Sequence, residues 1–146
     1  MFARDMIPHH QQALELSAMV PTNGSSHAVA VKAKHIAMDQ QAEISILSDM
    51  LTQWGEPIHD HADMNMQGMQ GMVDPATMSR LRALRGSDFD NLWLTAMIHH
   101  HQGAIVMAQD ELAHGRNADA LKMAKTIIDS QQVDIAQMNH LLTTAQ

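Results

Sequence analysis

The chain has 146 residues, 45% of them hydrophobic and 17% charged, and a net charge of -7 with histidine neutral. That length favours one domain with a real core. The acidic balance excludes nucleic acid as the expected partner, because phosphate demands a basic surface, and the lack of an apolar run of about 18 residues excludes a membrane-spanning helix.

Three residue counts stand out. Cysteine is absent, methionine numbers 14 and histidine 11. With aromatics at 3% and no tyrosine, methionine takes over part of the core filling. Methionine and histidine are also soft and borderline ligands suited to copper. Absence of cysteine fits an oxidising compartment only weakly. No signal peptide is visible, and the chain opens within a motif, which leaves room for an upstream segment.

A first helix is predicted from about Phe2 to Met19, ending near the breaker-rich stretch VPTNGSS. A second runs from about Ser26 to Trp54 and stops at Gly55, with Pro57 beyond. Asp74-Pro75 reads as an N-cap followed by proline at the first helical position, opening a short helix that ends by Gly86. Ser87, with Asp90 three residues on, reads as the capping box of the next long helix, which Gly115 ends. Asn117 opens a last helix that runs almost to the C-terminus. No strand is expected.

The long helices repeat one another. A shift of 91 maps Met6, Ile7, His9, His10, Gln11 and Ala13 onto Met97, Ile98, His100, His101, Gln102 and Ala104. The same shift maps Ile36, Gln40, Gln41 and Ile44 onto Ile127, Gln131, Gln132 and Ile135. One offset serving two separated segments makes the unit a helical hairpin, written twice. Residues 1–146 are therefore expected to form a single all-α four-helix bundle. Its repeats are about 2–54 and 88–144, and residues 55–86 hold a linker and the short extra helix.

On a wheel of about 100° per residue, Phe89, Trp93, Ala96, Met97, His100, Gly103, Ala104 and Met107 share one stripe. His100 lies at its centre, and His99 and His101 flank it as exposed or half-exposed residues. Phe2, Met6, His9, Ala13 and Leu16 form the matching stripe of the first helix. The second and last helices carry Gln40 with Glu43, and Gln131 with Asp134, on their apolar stripes. The core is thus expected to hold His9, His100, Glu43 and Asp134 with the glutamines. Burying such groups is costly unless they pair or bind a metal. The plainer reading is a satisfied polar layer in which imidazole donates to carboxylate and glutamine closes the network. The sharper one is a metal site. Glu111 and His114 supply one E-x-x-H step, but a dinuclear carboxylate centre needs two such steps and further glutamates, so that pattern is not met.

The linker EPIHDHADMNMQGMQGMV is the most unusual segment. It places His59 and His61 ahead of Met64, Met66, Met69 and Met72, among glycines. Flexible linkers are normally built from glycine, serine, proline and charge. Clustered thioethers and imidazoles without thiolate instead match Cu(I) or Ag(I) by softness, with Cu(II) favouring the helical nitrogens.

The order MIPHHQQA, QQAEI, ML, WG, a methionine-rich middle, FD, WL, MIHHHQGAIVMA and a final QQ-x-DI resembles the domain-of-unknown-function family 305 over nearly the whole chain. The resemblance implies a ferritin-like four-helix bundle, commonly in exported bacterial proteins, secreted, periplasmic or held at the cell envelope. It also implies copper binding and copper tolerance through methionine and histidine, as associated with relatives of the CopM type. The positions that match are Met6, His9, His10, Met97, His100, His101 and the linker methionines. Position 8 is proline where the second copy has His99, so the two copies need not be chemically equal.

Three functions compete on this reading. The first is a non-enzymatic copper chaperone, buffer or scavenger using these residues with His99, Glu43, Asp134, His59 and His61. The second is a ferritin-like metalloenzyme built on the core histidines and carboxylates, and the third is a structural or partner-binding bundle. The expected partner is a metal ion, and self-association is left open.

Overall fold

A computed structural model describes residues 2–57 and 69–144. The described residues form the helices α1 (Phe2–Asn23), α2 (His27–Trp54), α3 (Pro75–Ala83), α4 (Gly86–His114) and α5 (Ala118–Thr144), with no strand among them. Helices α1 and α2 pack as one hairpin and α4 and α5 as another. The hairpins meet chiefly through α1 and α4, while α3 touches both of those. The result is a ferritin-like bundle of two repeated hairpins.

The helix ends follow mostly from local chemistry. Ser26 Oγ accepts from Val29 N at 3.3 Å, and Asp74 Oδ1 from Thr77 N at 3.0 Å, each satisfying a donor the first turn leaves open. Asn117 Oδ1 does the same for Asp119 N and Ala120 N. Two ends depart from expectation. Helix α1 continues through Pro21 to Asn23, because Val20 and Asn23 are buried and Asn23 Nδ2 donates to Leu81 O of α3 at 2.9 Å. Helix α4 starts at Gly86, so Ser87 lies inside its first turn and caps nothing. Asp90 forms no capping box; its buried carboxylate accepts instead from Ser25 Oγ at 2.8 Å and Ser26 N at 2.9 Å, fastening the α1–α2 turn to α4.

The core is two apolar clusters with a polar belt between them. One cluster gathers around Trp93, Phe89, Leu16, Ile36 and Met138. The other gathers around Met6, Leu47, Ile127 and Ala104. Each long helix leaves one cluster, crosses the belt at mid-length and enters the other: His9 and His10 on α1, Gln40 and Glu43 on α2, His100 and His101 on α4, Gln131 and Asp134 on α5. Burial of each large apolar side chain contributes roughly 1.5–3 kcal/mol, so the clusters supply the stability that carries this belt.

The 91-residue offset holds in space as well as in sequence. Two surface grooves run between α2 and α5 on either side of the belt. Val31, Lys32, Gln137 and His140 line one, and Lys122, Met123, Ile46 and Asp49 occupy the matching places in the other.

Candidate functional site

The belt is a cluster of four imidazoles with no exposed surface. His9, His10, His100 and His101 are each 0% exposed. The rings of His9 and His100 stack across the α1–α4 contact, centroids 3.8 Å apart and tilted by 30°. His10 lies 6.4 Å from His9, and His101 6.3 Å from His100, so the quartet follows the repeat.

Partners fix part of the proton arrangement. The Gln70 carbonyl can only accept, so His9 Nε2 donates to it at 3.0 Å and Nδ1 keeps the lone pair. His10 Nε2 donates to Glu43 Oε2 at 2.7 Å, so in the neutral ring Nδ1 holds the lone pair. His101 Nε2 lies 3.4 Å from Asp134 Oδ2 without hydrogen-bond alignment, and Lys32 Nζ donates to the other oxygen of Asp134 at 2.5 Å. Among the described residues neither nitrogen of His100, nor Nδ1 of His9, His10 or His101, has a hydrogen-bond partner. The buried amides of Gln40 and Gln131 have none either. Among the described residues glutamine therefore does not close the layer, and these groups are left without a protein partner. Each such group costs about 1–3 kcal/mol.

Burial sets the electrostatics. Loss of solvent, helped by His10, pushes the His9 imidazole down to about 3, against the Gln70 hydrogen bond that raises it. Burial and then His9 hold His100 well below the usual imidazole range. Both rings are neutral at neutral pH, the form in which imidazole ligates metal. For Asp134 burial pulls upward, but the facing His101 and Lys32 outweigh it and the carboxyl lies below its ordinary value.

Several sequence expectations shift here. His9 and His100 do point inward, and His99 is exposed. His101, placed by the wheel at the flank, is as buried as His100, and so is His10. The carboxylates turn to this second pair of histidines, not to His9 and His100. The reason is geometric: α1 and α4 each pack against two long neighbours, so their buried arc is wider than one stripe. Met6 and Met97, one turn before the histidines, are fully buried on opposite sides of the belt. Met69 and Met72 are partly buried and line a surface cavity of about 560 Å³ with Met78, Gln12, Glu15 and Arg82. Met78 escaped the sequence reading because it belongs to α3 and not to the linker. His59, His61, Met64 and Met66 lie outside the described residues. Among the described residues no three His, Asp or Glu side chains converge on one metal position.

The end of the linker straps the belt. Gln12 grips Val73 twice, donating from Nε2 to Val73 O at 2.9 Å and accepting from Val73 N at 2.8 Å. Gly71, at φ +77°, lies against the Gly103 backbone of α4. A Cβ on Gly103 would stand 2.1 Å from Gln70 O, the carbonyl that holds His9. Gly103 and Gln12 are equivalent under the 91-residue offset, so one repeat grips the strap and the other makes room for it. Gly103→Ala is expected to lift the strap and destabilise the fold by about 1–3 kcal/mol despite alanine's better helix propensity. Thermal melts and limited proteolysis near Gln70 check this; an unchanged melt and cleavage pattern would show that the close approach is dispensable.

Fold and site together define a class: a bundle of two helical hairpins enclosing a histidine–carboxylate belt. Over residues 1–142 the chain matches the family described as Domain of unknown function (DUF305), and it belongs to that family. Among solved structures it is similar to a DUF305 protein from Streptomyces coelicolor, described as a candidate secreted protein, at 31% identity and TM-score 0.88, covering 99% of this chain and 89% of the other. A DUF305 fragment from Deinococcus radiodurans is similar at 28% identity and TM-score 0.89, covering 98% and 93%. CopM in its Cu(II)-bound form is similar at 26% identity and TM-score 0.84, covering 99% and 95%. CopM has also been solved with Cu(I) and with silver. No curated protein matches the sequence. No described helix is long and apolar enough to cross a membrane.

Proposed function

We propose that the protein binds copper outside the cytoplasm and serves as a chaperone, buffer or scavenger without catalysing a reaction. The observation that carries this reading is the set of buried imidazole nitrogens without partners among the described residues, two of their rings backed by carboxylates. Metal-binding histidines usually donate their other N–H to such a carboxylate, which fixes the tautomer and strengthens the ligand. The likeness to CopM, solved with Cu(I), Cu(II) and silver, supports copper as the cargo. The likeness to a protein described as a candidate for secretion supports an extracytoplasmic place.

Two ligand sets divide the work on this reading. Met64, Met66, Met69 and Met72 offer thioethers to Cu(I), with His59 and His61 beside them. The imidazoles of His9, His10, His100 and His101, with exposed His99, suit Cu(II), while Met6 and Met97 adjoin them on α1 and α4. The test replaces the four linker methionines by leucine and measures bound Cu(I) and Cu(II) separately, at about pH 7.5 and about pH 5. The variant is expected to lose at least one equivalent of Cu(I) at both pH values and to keep its Cu(II). Full retention of Cu(I) would reduce the linker to a tether and remove this half of the proposal.

A further inference from the structure

The two halves of the belt carry the same imidazole and the same type of carboxylate, yet their counter-charges differ. Lys32, only 7% exposed, puts its ammonium 2.5 Å from Asp134 Oδ1. Under the 91-residue offset the counterpart of Lys32 is Met123, a buried residue in the matching groove. Glu43, 8% exposed, has His10 at 2.7 Å and no ammonium or guanidinium within salt-bridge distance among the described residues. One carboxylate is therefore already neutralised by a fixed cation, and the other is not.

Resting on the copper reading above, we infer that the belt is a one-sided cation site: His10 with Glu43 takes the metal, and Lys32 closes the equivalent place at His101 and Asp134. The physical reason is charge. A cation on His10 Nδ1 draws on the carboxylate charge of Glu43 through the ring. A cation on His101 finds Asp134 already spent on Lys32 and shares a low-dielectric interior with the ammonium, where like charges repel strongly. The expected discrimination is roughly ten- to a hundred-fold in affinity. Lys32 thus acts as a specificity residue, holding the place a second ion would otherwise take.

The experiment swaps the two repeats' residues in the full chain and uses Cu(II) alone as the probe. Native mass spectrometry counts the equivalents lost on His10→Gln or His101→Gln, which separates the belt from surface histidines. Electron paramagnetic resonance reports how many nitrogen-ligated species are present. The wild type is expected to show one belt equivalent that depends on His10. Lys32→Met is expected to add a second that depends on His101, Lys32→Arg to keep one, and Met123→Lys to weaken the first at least ten-fold. Circular dichroism confirms that each variant is folded, and the Met123→Lys arm stands should Lys32→Met fail to fold. Two belt equivalents in the wild type would overturn the inference and leave the copper reading in place. So would a folded Lys32→Met chain that stays at one. No belt-dependent Cu(II) in any variant would overturn both.

Discussion

Lowering the pH from about 7 to about 5 is expected to remove about 2 kcal/mol of folding stability through His9 alone, and His100 adds to the loss in the same direction. The fold depresses both imidazoles, His9 to about 3. In the unfolded chain they take up protons below about pH 6.5, whereas the native belt keeps them neutral. The stability these groups hold is therefore complete above about pH 6.5 and is lost as pH falls toward the native value. His9 contributes a slope of about 1.4 kcal/mol per pH unit. Against a typical total of about 5–15 kcal/mol, that is a substantial share of the stability, lost in mild acid. Urea unfolding at a series of pH values measures the slope, and replacing His9 or His100 by leucine should flatten it by one proton each. A stability profile level between about pH 7 and pH 5 would show that the stacked rings accept protons without cost. The same burial bears on copper release, since an imidazole held neutral does not let go of a metal simply by titrating near its free value of about 6.5. For His9 and His100, release in mild acid would follow loosening of the bundle.

His10→Leu and His100→Leu are expected to move the metal-free protein in opposite directions. His10 is the described partner of Glu43, so its loss strands a buried carboxylate and costs about 1–3 kcal/mol. Neither buried nitrogen of His100 has a hydrogen bond among the described residues, so leucine of similar size removes a desolvated polar group. That change should be neutral or stabilising by about 1–2 kcal/mol. On the copper reading both variants lose part of the rise in melting temperature that Cu(II) gives the wild type, because ligand binding to the native state stabilises it by mass action. Melts of both variants with and without Cu(II) test the pair of statements. Equal destabilisation of the metal-free forms would mean that His100 has a partner the fold makes only in solution.

Much of this was legible in the chain. Helical periodicity placed the long helices, and the 91-residue offset made them two copies of one hairpin. The same offset and the helical stripes marked one inward histidine on each of α1 and α4, His9 and His100, and a glutamine with a carboxylate on each of α2 and α5. Periodicity alone sufficed because the belt interrupts the apolar stripes at equivalent points of both copies. It could not say which histidine meets which carboxylate. A wheel describes one helix against one neighbour, whereas α1 and α4 bury an arc against two, and that brought His10 and His101 inside as the residues that face Glu43 and Asp134.

Contacts across long stretches of sequence were beyond any local pattern. Lys32 meets Asp134 through the packing of α2 against α5, and nothing around position 32 marks it as different from an exposed lysine except that its counterpart is Met123. Gly103 reads as one more small residue on a helix until the strap arrives, with Gln70 over His9 and Gly71 against the α4 backbone. The sequence by itself therefore determined the bundle, its duplication and the chemistry of its belt, since those follow from residue types at helical spacing. Only the tertiary structure decided the pairing of the histidines, the charge that separates the two halves and the strap across them, because each depends on groups brought together by folding.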